Sequence, residues 1–457
     1  MNAPVATPLI PPRPPIPPQE LGLLPFLRAI RTNALTMWTE RAYQDDILVR
    51  RFFNRTNVLA NTPDAIHRVL VDNHANYRRS PASIRILRPI TGENGLLLSE
   101  GETWRLQRRT IAPALAPRVM PMLARHIVTT TSDVLPMLAA KASVEPINLL
   151  QAMQFLTLEI AGRSMFSLEM QQYCAPLRAL LTEYGLRFSQ PHLFDMLLPP
   201  SVPTFRGLLR WRFQQRWMRL IETIMRDRLH EPEPATPRDL FDLLRAARDP
   251  ETGAGFSPVQ LRDQLATMLL AGHETTAVTL FWALTMLALD PAEHQRVSEE
   301  ARGVKIEPDT STDVFPDLVR TRAVVNETLR LYPPAFAIAR ESIGPDRLGD
   351  FDLPPRTVVI IAPWVLHRHR RFWRDPDAFD PDRFMPHAPQ PPRFAYLPFG
   401  AGPRICVGAQ FALTEAVLVL ASMLQRFRFE LQDEPPLPLA IVTTQPSHQP
   451  LFRLHVR

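Results

Sequence analysis

Ten residues, Phe399-Gly400-Ala401-Gly402-Pro403-Arg404-Ile405-Cys406-Val407-Gly408, hold the densest chemistry in the chain. One cysteine sits among glycines, with an arginine two residues before it and an aromatic seven before. A thiolate that ligates a metal inside a flat ring needs backbone N–H groups aimed at sulfur. It also needs small neighbours that let the backbone lie close to the ring, and a cation for the ring's carboxylates. Gly400, Gly402 and Gly408 allow close approach and unusual φ, and Arg404 supplies the cation. The apolar run Ala409 to Leu424 follows. As a helix it would point its positive end at the thiolate and lower the thiol pKa. A lone cysteine is more often an inert buried thiol. Five constrained positions in ten residues set Cys406 apart, and Cys174 has no such company.

Three other constellations carry chemistry. Ala271-Gly272-His273-Glu274-Thr275-Thr276 lies midway along a predicted long helix. Glycine there costs about 1 kcal/mol against alanine and asks for a reason. Taken alone, Gly272 and Thr275 read as an ordinary helix with a back-bonded threonine. Glu327 and Arg330 are three apart on another predicted helix and share a face; alone they read as a surface ion pair. Trp104 and Arg108, four apart, also share a face, and alone they read as part of an amphipathic helix. His367-Arg368-His369 lacks a second cluster that would complete a metal site.

The cysteine loop resembles the heme-binding signature of the cytochrome P450 monooxygenases, Phe-x-x-Gly-x-Arg-x-Cys-x-Gly. Phe399, Gly402, Arg404, Cys406 and Gly408 match it without departure. The resemblance covers nearly all of residues 40–457, with the motifs in the family's order. It implies a mainly α fold with small β-sheets and a long central helix crossing above heme b. Cys406 would be the proximal iron ligand, its electron donation favouring O–O cleavage. Thr275 would hold a water and relay protons, and Glu274 would resupply them. Trp104 and Arg108 would contact one heme propionate and Arg340 the other. Glu327, Arg330 and Arg383 would form a buried triad that locks the core, which survives only if fully paired. Asp382 stands where the family usually has glutamate.

Segments that the family places around substrate are mainly apolar here, with Ile86, Leu96, Leu97, Leu197, Leu269, Leu270, Ala271, Phe336 and Ile338 as candidate lining. Such a pocket suits a fatty acid, a terpenoid or a similar hydrophobe. The resemblance implies a monooxygenase that takes NAD(P)H-derived electrons from a separate ferredoxin or flavodoxin-type partner, since no nicotinamide or flavin motif is present. A peroxygenase, a heme-thiolate isomerase and a heme-based sensor are the rivals. The first two usually lack an acid–threonine pair, and the third needs no proton relay. Arg105, Arg109, Arg368, Arg370, Arg371 and Arg393 lie in segments expected near the cysteine side. They would form a positive patch that attracts an acidic donor.

The elements that must position these residues are legible in part. Ser257 and Gln260 form a capping box around Pro258, so a helix over Pro258–Leu289 is predicted, ended by Asp290-Pro291. Helices are also predicted over 64–73, 102–114, much of 116–230 and 317–331. A hairpin is predicted over Ile47–Ala60, with strands over 357–361, 427–431 and 440–444. Ser80 to Ser99 reads as irregular, and Pro199-Pro200 as a loop. Residues 1–20 read as a flexible proline-rich tail and 21–457 as a single domain. Two cysteines argue against a disulfide framework and fit a reducing, cytoplasmic location. No run of 18 apolar residues exists to span a membrane. The net charge of +6, from 52 basic and 46 acidic residues, is too mild to argue for nucleic acid.

Overall fold

The protein is described from a computed structural model that covers residues 8–457 except 53–54, 169, 191, 193, 196–197, 199–200 and 231–233. Leu197, Pro199, Pro200 and the Cys174 side chain lie outside the described residues.

The N-terminal part is mixed. Helix α1 spans Leu23–Thr32. Strands β1 (Ile47–Phe52) and β2 (Arg55–Ala60) pair antiparallel as the predicted hairpin, with Ile47 opposite Ala60. Helix α2 (Pro63–His67) runs into a π turn over Arg68–Asp72, and β3 spans Tyr77–Arg79. Helix α3 (Pro81–Thr91) occupies a segment expected to be irregular. Ser80 accepts the Ser83 amide as N-cap, Pro81 sits at the first position, and Gly92 ends the helix at φ 73°. Its start signals outweigh the internal Pro89.

Helices then dominate: α4 (Gly101–Ile111), α5 (Met120–Ala142), α6 (Leu149–Phe166, after the short β4 at Ile147–Asn148), α7 (Gln171–Arg187), α8 (Phe205–Leu229) and α9 (Leu240–Ala246). Helix α10 spans Pro258–Leu289, as its capping box dictates. Ser257 Oγ accepts the Gln260 amide at 3.2 Å and Gln260 Oε1 accepts the Ser257 amide at 2.9 Å. Its 32 residues reach about 48 Å. It packs on α6, α3 and α8, on α12 (Val319–Leu331) and on α14 (Ala409–Arg426); α11 (Pro291–Arg302) precedes α12 and α13 (Pro363–Leu366) follows it.

Later strands return to the first sheet. Strand β5 (Ile338–Ser342) lies between β3 and β8 (Val358–Ile361), giving the order β1-β2-β8-β5-β3. β6 (Asp346–Leu348) and β7 (Phe351–Leu353) make a small hairpin. β9 (Phe427–Leu431) pairs with the C-terminal β12 (Leu451–Val456). The strand expected over 440–444 is instead a hairpin, β10 (Pro438–Ala440) turning into β11 (Thr444–Pro446). The observed fold is therefore mainly α with small sheets.

The core gathers on α10. Trp282 stacks on Tyr332 with ring centroids 4.1 Å apart and planes 2° from parallel, tying the helix to the end of α12. Aromatic stacking adds about 0.5–1.5 kcal/mol beyond area burial. Residues 9–13, expected to be a free tail, are bound to this body. The Phe379 amide donates to the Leu9 carbonyl at 2.8 Å, Tyr332 Oη donates to the Pro12 carbonyl at 3.0 Å, and Arg13 pairs with Asp377 at 2.7 Å. No single helix among the described residues is long and apolar enough to cross a membrane.

Candidate functional site

The cysteine loop is built by tight turns. Gly402 takes φ 71°, and a Cβ there would meet the Leu70 carbonyl oxygen at 1.9 Å, so only glycine fits. The Cys406 amide donates to the Phe399 carbonyl at 2.9 Å. The Gly408 amide bonds the sulfur, and Arg108 adds its charge. Burial nevertheless dominates and holds the Cys406 thiol above its ordinary value, so the lowering expected from the following helix does not win in the protein alone. Cys406 has accessible surface although protein crowds its sulfur. Arg108 reaches the same loop, donating to the Ile405 carbonyl at 2.8 Å.

Beside the loop lies an unbalanced group of cations. Arg404 sits over the Trp104 ring at 4.5 Å, donates to the Ser99 carbonyl at 3.0 Å and pairs with Glu100. Arg79 and Arg340 stand directly opposite each other across the β3–β5 ladder. Like charges so placed repel. Burial, then Arg340 and Arg404, push Arg79 down to about 9; burial, then Arg404, push Arg340 down to about 10. The Arg79 Nε is buried without a hydrogen-bond partner among the described residues. Among the described residues three guanidiniums thus share one carboxylate, Glu100, and a group bearing two further carboxylates would complete them. Trp104, Arg340 and Arg404 were legible in the sequence. Arg79 and Glu100 were missed: a three-residue strand leaves no periodic signal, although two consecutive arginines before Ser-Pro were a cue.

The middle of α10 behaves differently from the rest of that helix. Ala271 is exposed and Gly272, Glu274 and Thr275 are half-buried, while the flanking turns are buried. Thr275 Oγ1 donates to the Ala271 carbonyl at 2.5 Å, the back-bonded arrangement. Glu274 is held by Gln445 of β11 and, at 3.4 Å, by Gln154 of α6. Burial is the main cause that pushes its carboxyl up to about 7, against the lowering by those two amides. The neighbouring Thr276 donates at 3.2 Å to Glu415 on α14, joining the helix that carries Thr275 to the helix that follows Cys406. Glu415 is buried, and burial pushes it up to about 8.

Glu327 and Arg330 form a fully buried pair rather than a surface one, with two hydrogen bonds of 2.6 and 2.7 Å. Arg330 also donates to the carbonyls of His367, Pro376 and Ala378. Arg383 stands 3.5 Å from Glu327 without a hydrogen bond to it, so it is the looser third member. His367 is buried; its Nε2 accepts the Leu397 amide at 2.8 Å, which fixes the approach to the cysteine loop.

Among the candidate lining residues, Leu269 and Leu270 belong to the second apolar cluster, against which Ile86 and Leu96 pack; Leu97 is half-buried. Phe336 packs on the main core instead and Ile338 on the cluster around β2 and β8, with its Cδ1 3.7 Å from where a Gly400 Cβ would stand. The positive face expected from six arginines does not form as such. Arg368 is buried over the Trp364 ring at 3.7 Å. Arg105 pairs with Glu102, Arg109 with Asp249 and Glu251, Arg370 with Glu40 and Arg371 with Asp46. Of the six, Arg393 alone is an exposed cation without an ion pair among the described residues.

A cysteine whose sulfur takes the Gly408 amide, beside clustered cations that a dianionic ring would neutralise, fits a heme-thiolate protein. The sequence pattern of the family described as Cytochrome P450 matches residues 11–452. Cyclooctatin synthase of Streptomyces melanosporofaciens is 32% identical over 416 residues, covering 88% of this chain and 86% of that protein. Cyclooctat-9-en-7-ol 5-monooxygenase of the same organism is 31% identical, covering 73% of this chain and 72% of its own. Cytokinin hydroxylase of Arabidopsis thaliana is 30% identical, covering 78% of this chain and 70% of its own. The chain belongs to the cytochrome P450 family. It is an oxidoreductase of the monooxygenase type with a heme-thiolate iron centre.

Proposed function

We propose that this chain hydroxylates or epoxidises an apolar small molecule, with heme b as cofactor and NAD(P)H-derived electrons delivered by a separate ferredoxin or flavodoxin-type protein. Residues 21–457 would act as one heme-thiolate unit, in a cytoplasmic setting. The observation that carries the reading is the opposed pair Arg79 and Arg340 with Arg404 around a single carboxylate, next to the Cys406 loop. Two propionates would neutralise it. Cys406 would ligate the iron, with the Gly408 amide and Arg108 on its sulfur side. When bound, the heme supplies the oxygen chemistry, placing one atom of O2 in the substrate and the other in water.

The chain's own residues supply protons and order. Thr275 stands on the less buried stretch of the helix, and its hydroxyl can share its bond with a water in place of the Ala271 carbonyl. Glu274, half-buried and shifted toward neutrality, can give and take a proton at physiological pH. Gln154 and Gln445 hold it in place. This acid–threonine pair favours dioxygen over peroxide as oxidant. The names of the Streptomyces relatives point to an unsaturated, largely hydrocarbon alcohol as one substrate type, which suits the apolar lining here. A screen of hydrophobic ligands for the low-to-high-spin Soret shift, followed by turnover with NADPH, reductase and ferredoxin, tests the proposal. Turnover with peroxide but none with the electron chain would favour the peroxygenase reading, and no turnover with either would favour a sensor.

A further inference from the structure

The segment between α3 and α4 lies directly on α10. A Cβ at Gly92 would meet the Asp263 side chain at 2.3 Å, and one at Gly95 would meet Thr267 Oγ1 at the same distance. Glycine at both places lets the backbone touch the helix. Asp263 then accepts the Asn94 amide at 3.0 Å and the Asn94 side chain at 3.1 Å. Gln264 Oε1 accepts the Leu96 amide at 2.9 Å, and its Nε2 donates to the Asn94 carbonyl at 2.6 Å. Asp263 and Gln264 are both buried. Arg262 ties Asp263 in turn to Glu222 of α8, at 2.8 and 2.6 Å.

The far end of the segment is pinned to the cation cluster. The Asn94 carbonyl also accepts from Gln107 of α4 at 2.7 Å, and Gln107 Oε1 accepts Ser99 Oγ at 2.6 Å. The Ser99 carbonyl accepts from Arg404 at 3.0 Å. The Leu98 and Ser99 amides both donate to the Gly95 carbonyl at 3.0 Å, closing a tight turn around Leu96 and Leu97. Those two leucines are half-buried while Gly95, Leu98 and Ser99 are buried. On α10, Asp263, Thr267, Ala271 and Thr275 follow at steps of four and so form one ridge. The turn thus sits one to two helical turns before the less buried stretch at Ala271–Thr275, with Arg404 at its other end.

We propose that Gln264 is a positioning residue that sets regioselectivity. With Asp263 it holds Leu96 and Leu97 as a fixed wall between α10 and the cation cluster, so that a substrate presents the same carbon at each turnover. The inference rests on the reading above that an apolar substrate is oxygenated at this site. One glutamine meets a backbone donor and a backbone acceptor two residues apart, which an apolar side chain of equal size cannot do. A wall free to drift by about 1 Å would let neighbouring C–H bonds compete, because misplacement on that scale decides rates.

Gln264→Leu keeps the volume and removes both bonds. In the heme-loaded chain the Leu96 amide should then exchange with deuterium about tenfold faster. With NADPH, reductase and ferredoxin, and farnesol or dodecanoic acid as probe, the ratio of oxygenated regioisomers should change about threefold or more. Gln264→Glu, whose carboxyl burial keeps neutral, can make both bonds and should largely restore the ratio. Asn94→Ala removes only the side-chain bond to Asp263 and should move the ratio the same way by a smaller factor. Gln425→Leu cuts two comparable bonds elsewhere, to the Ala301 and Val304 carbonyls at 2.7 and 2.9 Å. It should lower thermal stability and leave the ratio unchanged. A ratio unmoved in Gln264→Leu, or in Asn94→Ala where Gln264→Leu does not fold, overturns the proposal alone. So does an equal change in Gln425→Leu, or a Leu96 amide that exchanges as in the unaltered chain. An unaltered chain that gives neither a Soret shift nor product with any ligand of the hydrophobic screen overturns the substrate reading and the proposal together.

Discussion

Glu327→Ala should be among the most damaging single substitutions in this protein, and Arg383→Ala should not match it. Glu327 and Arg330 have no exposed side-chain surface. Removing the carboxylate deletes hydrogen bonds of 2.6 and 2.7 Å to the guanidinium and the acceptor for the Asp380 amide at 2.8 Å. Arg330 keeps three carbonyl acceptors, but neutral dipoles do not cancel a buried charge. The uncompensated cation should cost about 3–5 kcal/mol, a large share of the roughly 5–15 kcal/mol that holds a typical domain folded. Arg383 loses a hydrogen bond to the Asp375 carbonyl at 2.9 Å and an attraction across 3.5 Å. That should cost about 1 kcal/mol. Urea denaturation of both variants, followed by circular dichroism and by heme absorbance, measures the gap. Equal losses for the two variants would refute the asymmetry and restore a triad of equals; a loss under about 1 kcal/mol for Glu327→Ala would refute the argument from buried charge.

Arg79→Leu should stabilise the heme-free chain by about 1 kcal/mol, since it removes a like-charge apposition and an unpartnered buried Nε. It should also speed heme loss about tenfold, measured by transfer to a heme-scavenging apoprotein, and unchanged retention would remove Arg79 from the site. The Glu274 carboxyl has a folded value near 7 against an ordinary 4.5. Below pH 4.5 both states are protonated and burial carries no ionisation penalty; the penalty grows between the two values and is complete above 7. Glu274→Gln should therefore stabilise the protein at pH 8 relative to pH 4, by up to roughly 3 kcal/mol, and a pH-independent difference would contradict the burial. Thr275→Ala should keep heme and substrate binding while NAD(P)H consumption yields peroxide in place of product, with Thr275→Ser restoring coupling. Full coupling in the alanine variant would strip the hydroxyl of its role.

Local signals made the frame readable. Ser257-Pro258-Val259-Gln260 and Asp290-Pro291 bound the long helix because capping and proline act within a few residues. The cysteine loop was readable because glycine, arginine and cysteine lie within one turn of chain. What failed was non-local or conflicted. Pro89 and the glycines after it read as breakers, whereas Ser80-Pro81 starts a helix that tolerates Pro89 and ends only at Gly92. The six-arginine face failed because its neutralising acids lie far away in sequence: Asp249 for Arg109, Glu40 for Arg370 and Asp46 for Arg371. The partner of Arg79 across the sheet, Arg340, is 261 residues on, so their apposition becomes visible only in the ladder.

The most direct test of the account is the ferrous carbon-monoxide spectrum of Cys406→Ala beside that of Cys174→Ala. A thiolate on the iron gives that complex its red-shifted Soret band. The account predicts that Cys406→Ala binds heme through the arginine cluster yet lacks the band, while Cys174→Ala keeps it. A preserved band in Cys406→Ala would contradict the assignment of this loop as the heme-thiolate centre.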